Sequence, residues 1–205
     1  AFDPRSSTYR ARIATTDYGE VVAVTRVMAA LRRLAPAMSI QCRRVASIFE
    51  APASALERGD LELALGNFTT RGRGLRWLPV FSDRWVVVGS RRKTGIAAFA
   101  RAPQIQVMFG ADTAGLVGDA LRELGRSRFV PVVTPQFCTI PHYLANTDML
   151  GVLPERLARA LRLRISRLPL QLPPIVVGLV WHERLDADPS HRWLRERFTA
   201  AFATR

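Results

Sequence analysis

Apolar and polar positions along this chain keep two rhythms in turn. Short β-branched or alternating runs are followed by stretches in which apolar residues recur every three to four positions, the signature of strands alternating with crossover helices. The first half is the most regular. Residues 9–15, YRARIAT, read as a strand, and a helix is predicted from about Glu20, where Val21, Val24, Val27, Met28 and Leu31 share one face. Arg32 and Arg33 fall in its last turn and Pro36 stops it. A second strand is expected over 39–45, a short helix over 51–58 with Gly59 as its C-terminal stop, and a third strand over 61–66. That succession is a right-handed βαβαβ unit.

Residues 76–90, RWLPVFSDRWVVVGS, form an apolar run about twice the length of an ordinary strand and broken only by Ser82 and Asp83, as expected of a segment leaving one lobe for another. A second α/β series follows. It consists of a strand at 105–109, a helix at 114–124 closed by Gly125, a strand at 129–134, a helix at 139–146 and a strand at 150–153, with Pro154 in the first turn of the ERLARAL helix. The extended stretch 163–181 contains Pro169, Pro173 and Pro174, which exclude a single central strand and mark a second crossing. Asp186 and Asp188 read as a turn and cap before a final helix over 190–203, with Trp193, Leu194, Phe198 and Phe202 on one face. The fold class expected is therefore α/β, with two Rossmann-like lobes joined by two crossover strands. Lobe I comprises residues 1–80 plus 176–205 and lobe II residues 81–175.

The segment 9–20, YRARIATTDYGE, concentrates the polar chemistry. A strand passing directly into a helix leaves the first helical N–H groups pointing out of the sheet edge, where Thr15 and Thr16 add hydroxyls. In open α/β sheets such strand ends are where ligands bind. The competing reading is that Thr16 or Asp17 only caps the helix.

Charge and composition narrow the function. The 205 residues carry a net charge of +13, ordinarily a sign of nucleic-acid contact, but the positive charge is almost all arginine and scattered through every segment. Without basic residues interleaved with aromatics, no nucleic-acid groove is read in this chain. No apolar run approaches the roughly 20 residues needed to span a bilayer. Cys42 and Cys138 lie far apart, with no CxxC and no histidine at metal spacing, so they are read as reduced cytoplasmic thiols. The GxG of Gly72 and Gly74 lacks the third glycine of a dinucleotide loop and reads as a surface turn. No nucleophile elbow, P-loop or HExxH is present, since His182 and Glu183 begin HERLD. His142 and His191 stand without an oriented partner and read as structural or surface groups. The chain is thus expected to bind and not to catalyse, with neither cofactor nor metal.

Several separated segments, in order, carry a resemblance: FDPRSST at 2–8, ATTDYGE at 14–20, ERGDLELALG at 57–66, TDMLGVLPERLA at 147–158 and LVWHERLDADPSHRWLRE at 179–196. Together they resemble the effector-binding domain of LysR-type transcriptional regulators, in the branch of nodulation and aromatic-degradation regulators. The resemblance implies a type 2 periplasmic-binding-protein-like fold whose cleft takes a small-molecule inducer. It also implies a cytoplasmic regulator that touches no membrane, assembles as a homodimer or homotetramer, and binds DNA through an N-terminal winged helix-turn-helix absent from this chain. The helices 20–34 and 114–124 would join subunits or simply pack within a lobe.

Mapped by that resemblance, the ligand-binding residues are Thr15, Thr16 and Asp17 after the first strand, Ser47 after the second, and Asn67 and Phe68 after the third. Phe109, Gly110, Gln136, Phe137 and Thr139 complete the set from the second lobe. Phe68, Phe109 and Phe137 read equally well as core aromatics. Gln136 stands where some relatives of this branch have histidine in a PHF motif, which argues against an inducer that needs that histidine. Aromatic walls with neutral hydrogen-bonding groups fit a small aromatic or hydrophobic acid. A free-standing solute-binding protein of a transporter is the alternative.

Overall fold

The computed structural model describes residues 2–45, 47, 50–69, 72–89, 95–108 and 115–203. It resolves into two compact units, Ala1–Ser82 with Val176–Arg205, and Asp83–Ile175. Each is built on its own five-stranded sheet.

In the first unit the strands are β1 (Arg10–Thr15), β2 (Ser39–Arg44), β3 (Leu63–Gly66), β4 (Leu75–Asp83) and β10 (Ile175–His182), ordered β2-β1-β3-β10-β4. β1 runs parallel to both β2 and β3, and β10 returns antiparallel to β3. The parallel trio follows from its crossover helices. After β1 the chain turns helical at Asp17–Gly19, three residues earlier than the apolar spacing indicates, because Thr16 supplies the cap. It then passes through a π-helical stretch, Glu20–Val24, before continuing as the α-helix Thr25–Leu34.

That π stretch corrects the expected face. Gly19, Ala23, Val27 and Leu31 are all buried, and Val22 rather than Val21 faces inward. In a straight α-helix positions four apart drift, so Leu31 would stand about 120° away from Gly19 around the axis. A wider turn inserted between them takes up most of that drift. Gly59, at φ 80°, closes the helix Ala53–Arg58 in the left-handed conformation that glycine adopts without cost.

The second unit repeats the scheme with β5 (Trp85–Gly89), β6 (Gln104–Val107), β7 (Val132–Thr134), β8 (Leu150–Pro154) and β9 (Ile165–Arg167), ordered β7-β6-β8-β5-β9. β6 is parallel to β7 and β8, while β5 lies antiparallel to β8 and β9. The helix Ile96–Arg101 is an addition to the expected elements; its short length hides its periodicity, although Phe99 is fully buried. Pro154 ends β8 and caps the helix Glu155–Ala160 instead of lying within its first turn. The last helix is Pro189–Ala200, capped by Asp188, which accepts from the His191 N–H at 2.8 Å. Its buried face is His191, Leu194, Arg195 and Phe198, so Trp193 and Phe202 only flank it. Two buried polar groups replace expected aromatics there because they satisfy each other, as described below.

Candidate functional site

Parallel pairing gathers the carboxyl ends of β1, β2 and β3 at one edge of the first sheet. Thr15 stands opposite Arg44, and the Val45 N–H donates to the Thr15 carbonyl at 3.3 Å. Thr15 itself is 1% exposed and its hydroxyl donates to the Leu65 carbonyl at 2.8 Å, so this side chain joins β1 to β3. Thr16 is half-buried and caps the following helix, its Oγ1 accepting from the Gly19 N–H at 3.4 Å. Asp17 sits in the first turn, where its Oδ1 accepts from the Tyr18 N–H at 3.1 Å. A carboxylate in that turn is favoured by the helix dipole.

Beyond β2, Ser47 accepts from the Glu50 N–H at 3.2 Å. Beyond β3, Asn67 is half-buried and its Oδ1 accepts from the Val176 N–H at 3.0 Å, which fastens the end of β3 to the start of β10. Phe68 belongs to the core. It is 3% exposed and clusters with Ala14, Val45, Leu56, Ala64 and Val180, and a side chain at Gly66 would strike its ring. The first unit therefore brings Thr16, Asp17, Ser47 and Asn67 to one sheet edge, with Thr15 and Phe68 beneath as support.

In the second unit, Phe109 and Gly110 lie outside the described residues. The described edge of this sheet is defined by β6 and β7, where Val107 faces Thr134 and the Met108 N–H donates to the Thr134 carbonyl at 3.0 Å. Gln136, half-buried, precedes the 3₁₀ turn Phe137–Thr139, and its carbonyl accepts from the Thr139 hydroxyl at 2.9 Å. Thr139 Oγ1 also lies 2.9 Å from Thr134 Oγ1. Phe137 is 6% exposed, a core aromatic. Thr134 was not among the residues expected here; its position as the last residue of an apolar run, like Thr15 in the first unit, is the signal that marks it.

Two buried polar sets rest on contacts that no motif signals, although His191 itself reads from the sequence as a structural or surface group. Gln104 and Gln106, 1% and 7% exposed, accept from Arg128 at 3.3 and 2.7 Å. Burial holds the Arg128 guanidinium below its usual pKa. In the first unit, His191 is fully buried, with Nε2 3.0 Å from the Glu62 carbonyl and Nδ1 in contact with the Arg195 guanidinium. Since Arg195 can only donate, Nδ1 must accept and Nε2 must carry the proton. Burial lowers the His191 pKa to about 4, with the Arg195 charge acting in the same direction. This histidine is a neutral structural group.

Among the described residues, neither sheet edge brings together a nucleophile and an oriented base, and no cluster of His, Cys, Asp or Glu could hold a metal. Burial, with Glu20 nearby, pushes the Cys42 thiol up to about 11, opposite to the shift of a reactive cysteine. No described helix is long and apolar enough to cross a membrane. Half-buried hydroxyls, an amide and one carboxylate thus stand at the strand ends of the first unit.

Two α/β units, each with a mixed sheet and crossover helices, and a chain that passes twice from one to the other, define a type 2 periplasmic-binding-protein-like fold. The chain belongs to the LysR substrate binding domain family, whose model matches residues 5–203. Among solved structures, the regulatory domain of MexT, a transcriptional activator in Pseudomonas aeruginosa, is similar at a TM-score of 0.86 and 24% identity, covering 96% of this chain and 99% of that one. Nodulation protein D 2 of Rhizobium tropici is 30% identical over 95% of this chain and 64% of its own length. The HTH-type transcriptional activator NagR of Ralstonia sp is 28% identical over 99% of this chain and 70% of its own length. The chain thus spans 64–70% of the length of these two relatives, of which NagR is a transcriptional activator by name.

Proposed function

We propose that this chain is the inducer-sensing part of a cytoplasmic LysR-type transcriptional regulator, and that its strand-end groups engage a small aromatic or hydrophobic acid. The observation that carries the reading is positional. Thr16, Asp17, Ser47 and Asn67 in one unit, and Gln136 and Thr139 in the other, all follow the carboxyl ends of parallel strands. This is where open α/β sheets take ligands. Thr16, Asn67, Gln136 and Thr139 are neutral, so they orient a ligand by hydrogen bonds while apolar neighbours supply affinity. DNA contact belongs, on this proposal, to a helix-turn-helix segment outside residues 1–205, and the full protein works as a homodimer or homotetramer. The inducer biases that assembly only by binding one arrangement of the units more tightly than another.

A thermal-shift screen of the chain with benzoate, salicylate, a flavonoid phenol and amino acids tests this. Ligand at a hundred times its Kd stabilises by about 2.7 kcal/mol. A saturable rise in Tm with the aromatic acids, lost in Thr16→Val and Gln136→Leu, is expected. Stabilisation by another chemical class alone, or a rise unaffected by both substitutions, would refute the assignment.

A further inference from the structure

A second groove lies within the second unit, away from the strand ends just described. It encloses about 760 Å³, inside the range of small-molecule sites, between β5, the edge strand β9 and the return segment 168–174. Its apolar wall is formed by Trp85, Ile165, Leu170, Leu172 and Pro173. Trp85, Leu170 and Leu172 back onto the core cluster around Phe99 and Leu121, so the wall is anchored.

Two guanidinium groups lie at this groove, and they differ. Arg84 is held by both oxygens of Glu155. Arg167, exposed and paired across the sheet with Val86, makes no ion pair or hydrogen bond through its side chain among the described residues. An apolar trough with one uncompensated cation suits a molecule with an apolar body and one anionic end. An added peptide strand fits less well. β9 has only three residues, and Pro169, Pro173 and Pro174 remove donors from the segment that follows.

We infer that this groove binds an amphiphilic monocarboxylate, with its apolar body against Trp85 and Leu172 and its carboxylate on Arg167. The location gives such binding a consequence. Arg84 and Trp85 begin the second unit's stretch of the first crossing, Pro173 and Pro174 end its stretch of the second, and the Trp85 indole N–H already donates to the Pro173 carbonyl at 3.2 Å. A ligand here would brace both connecting segments at once.

That indole N–H is also the reporter. In ¹H–¹⁵N spectra of the ¹⁵N-labelled chain, the Trp85 indole peak is assigned by Trp85→Phe and followed during titration with 2-naphthoate and the neutral 2-naphthamide. A saturable shift with naphthoate is expected, weakened about three- to tenfold by Arg167→Gln, the scale of an exposed charge-assisted contact. Naphthamide should bind more weakly by a similar factor and be indifferent to Arg167→Gln. An unmoved Trp85 peak, or naphthoate affinity unchanged in Arg167→Gln, would overturn the inference. So would movement only with an extended acidic peptide such as Ac-EVEVE-NH₂. Amide shifts at Thr134–Thr139 without Trp85 would remove this groove and leave the strand-end reading intact; the converse would support the groove alone.

Discussion

Gly19→Ala is a substitution for which helix propensity and packing give opposite answers. Gly19 lies in the first helical segment after β1, and replacing glycine by alanine inside a helix ordinarily stabilises by about 1 kcal/mol. Here a methyl group at Gly19 would sit 2.0 Å from Thr15 Oγ1 and 3.4 Å from a Leu65 methyl. Thr15 is β-branched and buried, and its hydroxyl is fixed on the Leu65 carbonyl, so it cannot swing aside. Relieving the contact requires both that β1 and the helix part, at about 1–3 kcal/mol for overpacking, and that the hydroxyl loosen from its acceptor, at a further penalty of about 1–3 kcal/mol. Less the propensity gain, a net loss of about 3 kcal/mol is expected. With a urea m-value of about 2–3 kcal/mol/M this moves the unfolding midpoint down by about 1 M. The control is Thr15→Ala, which removes the obstructing oxygen. In that background Gly19→Ala should be neutral or stabilising, so the double-mutant cycle carries a coupling of at least ~2 kcal/mol. A single Gly19→Ala chain more stable than the parent would refute the reasoning, as would additive effects.

Three other outcomes follow from the same structure. His191 has a pKa of about 4 when folded and about 6.5 when unfolded, so the unfolded chain binds the extra proton between those values. Stability should therefore fall by about 3 kcal/mol as pH drops from 6.5 to 4, and a His191→Gln chain whose pH slope over that interval matched the parent's would contradict this. Cys42, with its thiol raised to about 11, should react with iodoacetamide at pH 8 at least ~10 times more slowly than a free thiol in a Cys138→Ser chain; mass-spectrometric labelling at the free rate would negate it. Asn67→Leu deprives the Val176 N–H of its acceptor and should cost about 1–3 kcal/mol, measured by chemical denaturation, whereas an unchanged midpoint would deny that the bond matters.

Much of the element order was legible because strand and helix rhythms differ and because Gly59, Pro36 and Asp188 punctuate them. The errors have local causes. Apolar spacing begins at Val21 and so sets the helix onset late, whereas Thr16 starts the helix by capping it. A uniform 3.6-residue period turns Val21 inward, and the π stretch interrupts that period. At the candidate site, sequence pointed to the sheet edges but could not tell which hydroxyl is spent inside. Thr15 and Thr16 are adjacent and chemically identical, yet one joins two strands and the other caps a helix. The buried Arg128–Gln104–Gln106 set and the His191–Arg195 pair were invisible, because each depends on contacts between segments that no spacing rule connects.

The π stretch at Glu20–Val24 also bears on how long this helix has to be. A wide turn holds one residue more than an α-turn between the same two fixed ends. Thr16 is pinned by its cap and Leu31 by the core, so the surplus residue is stored between them and not in a loop. Homologous chains one residue shorter over this interval can keep the same cap and the same Leu31 contact with a plain α-helix. An alignment that moves such a gap back to the junction of β1 and the helix would misassign the positions from Asp17 into the π stretch, and one that moves it past Leu34 would misassign the rest of the helix.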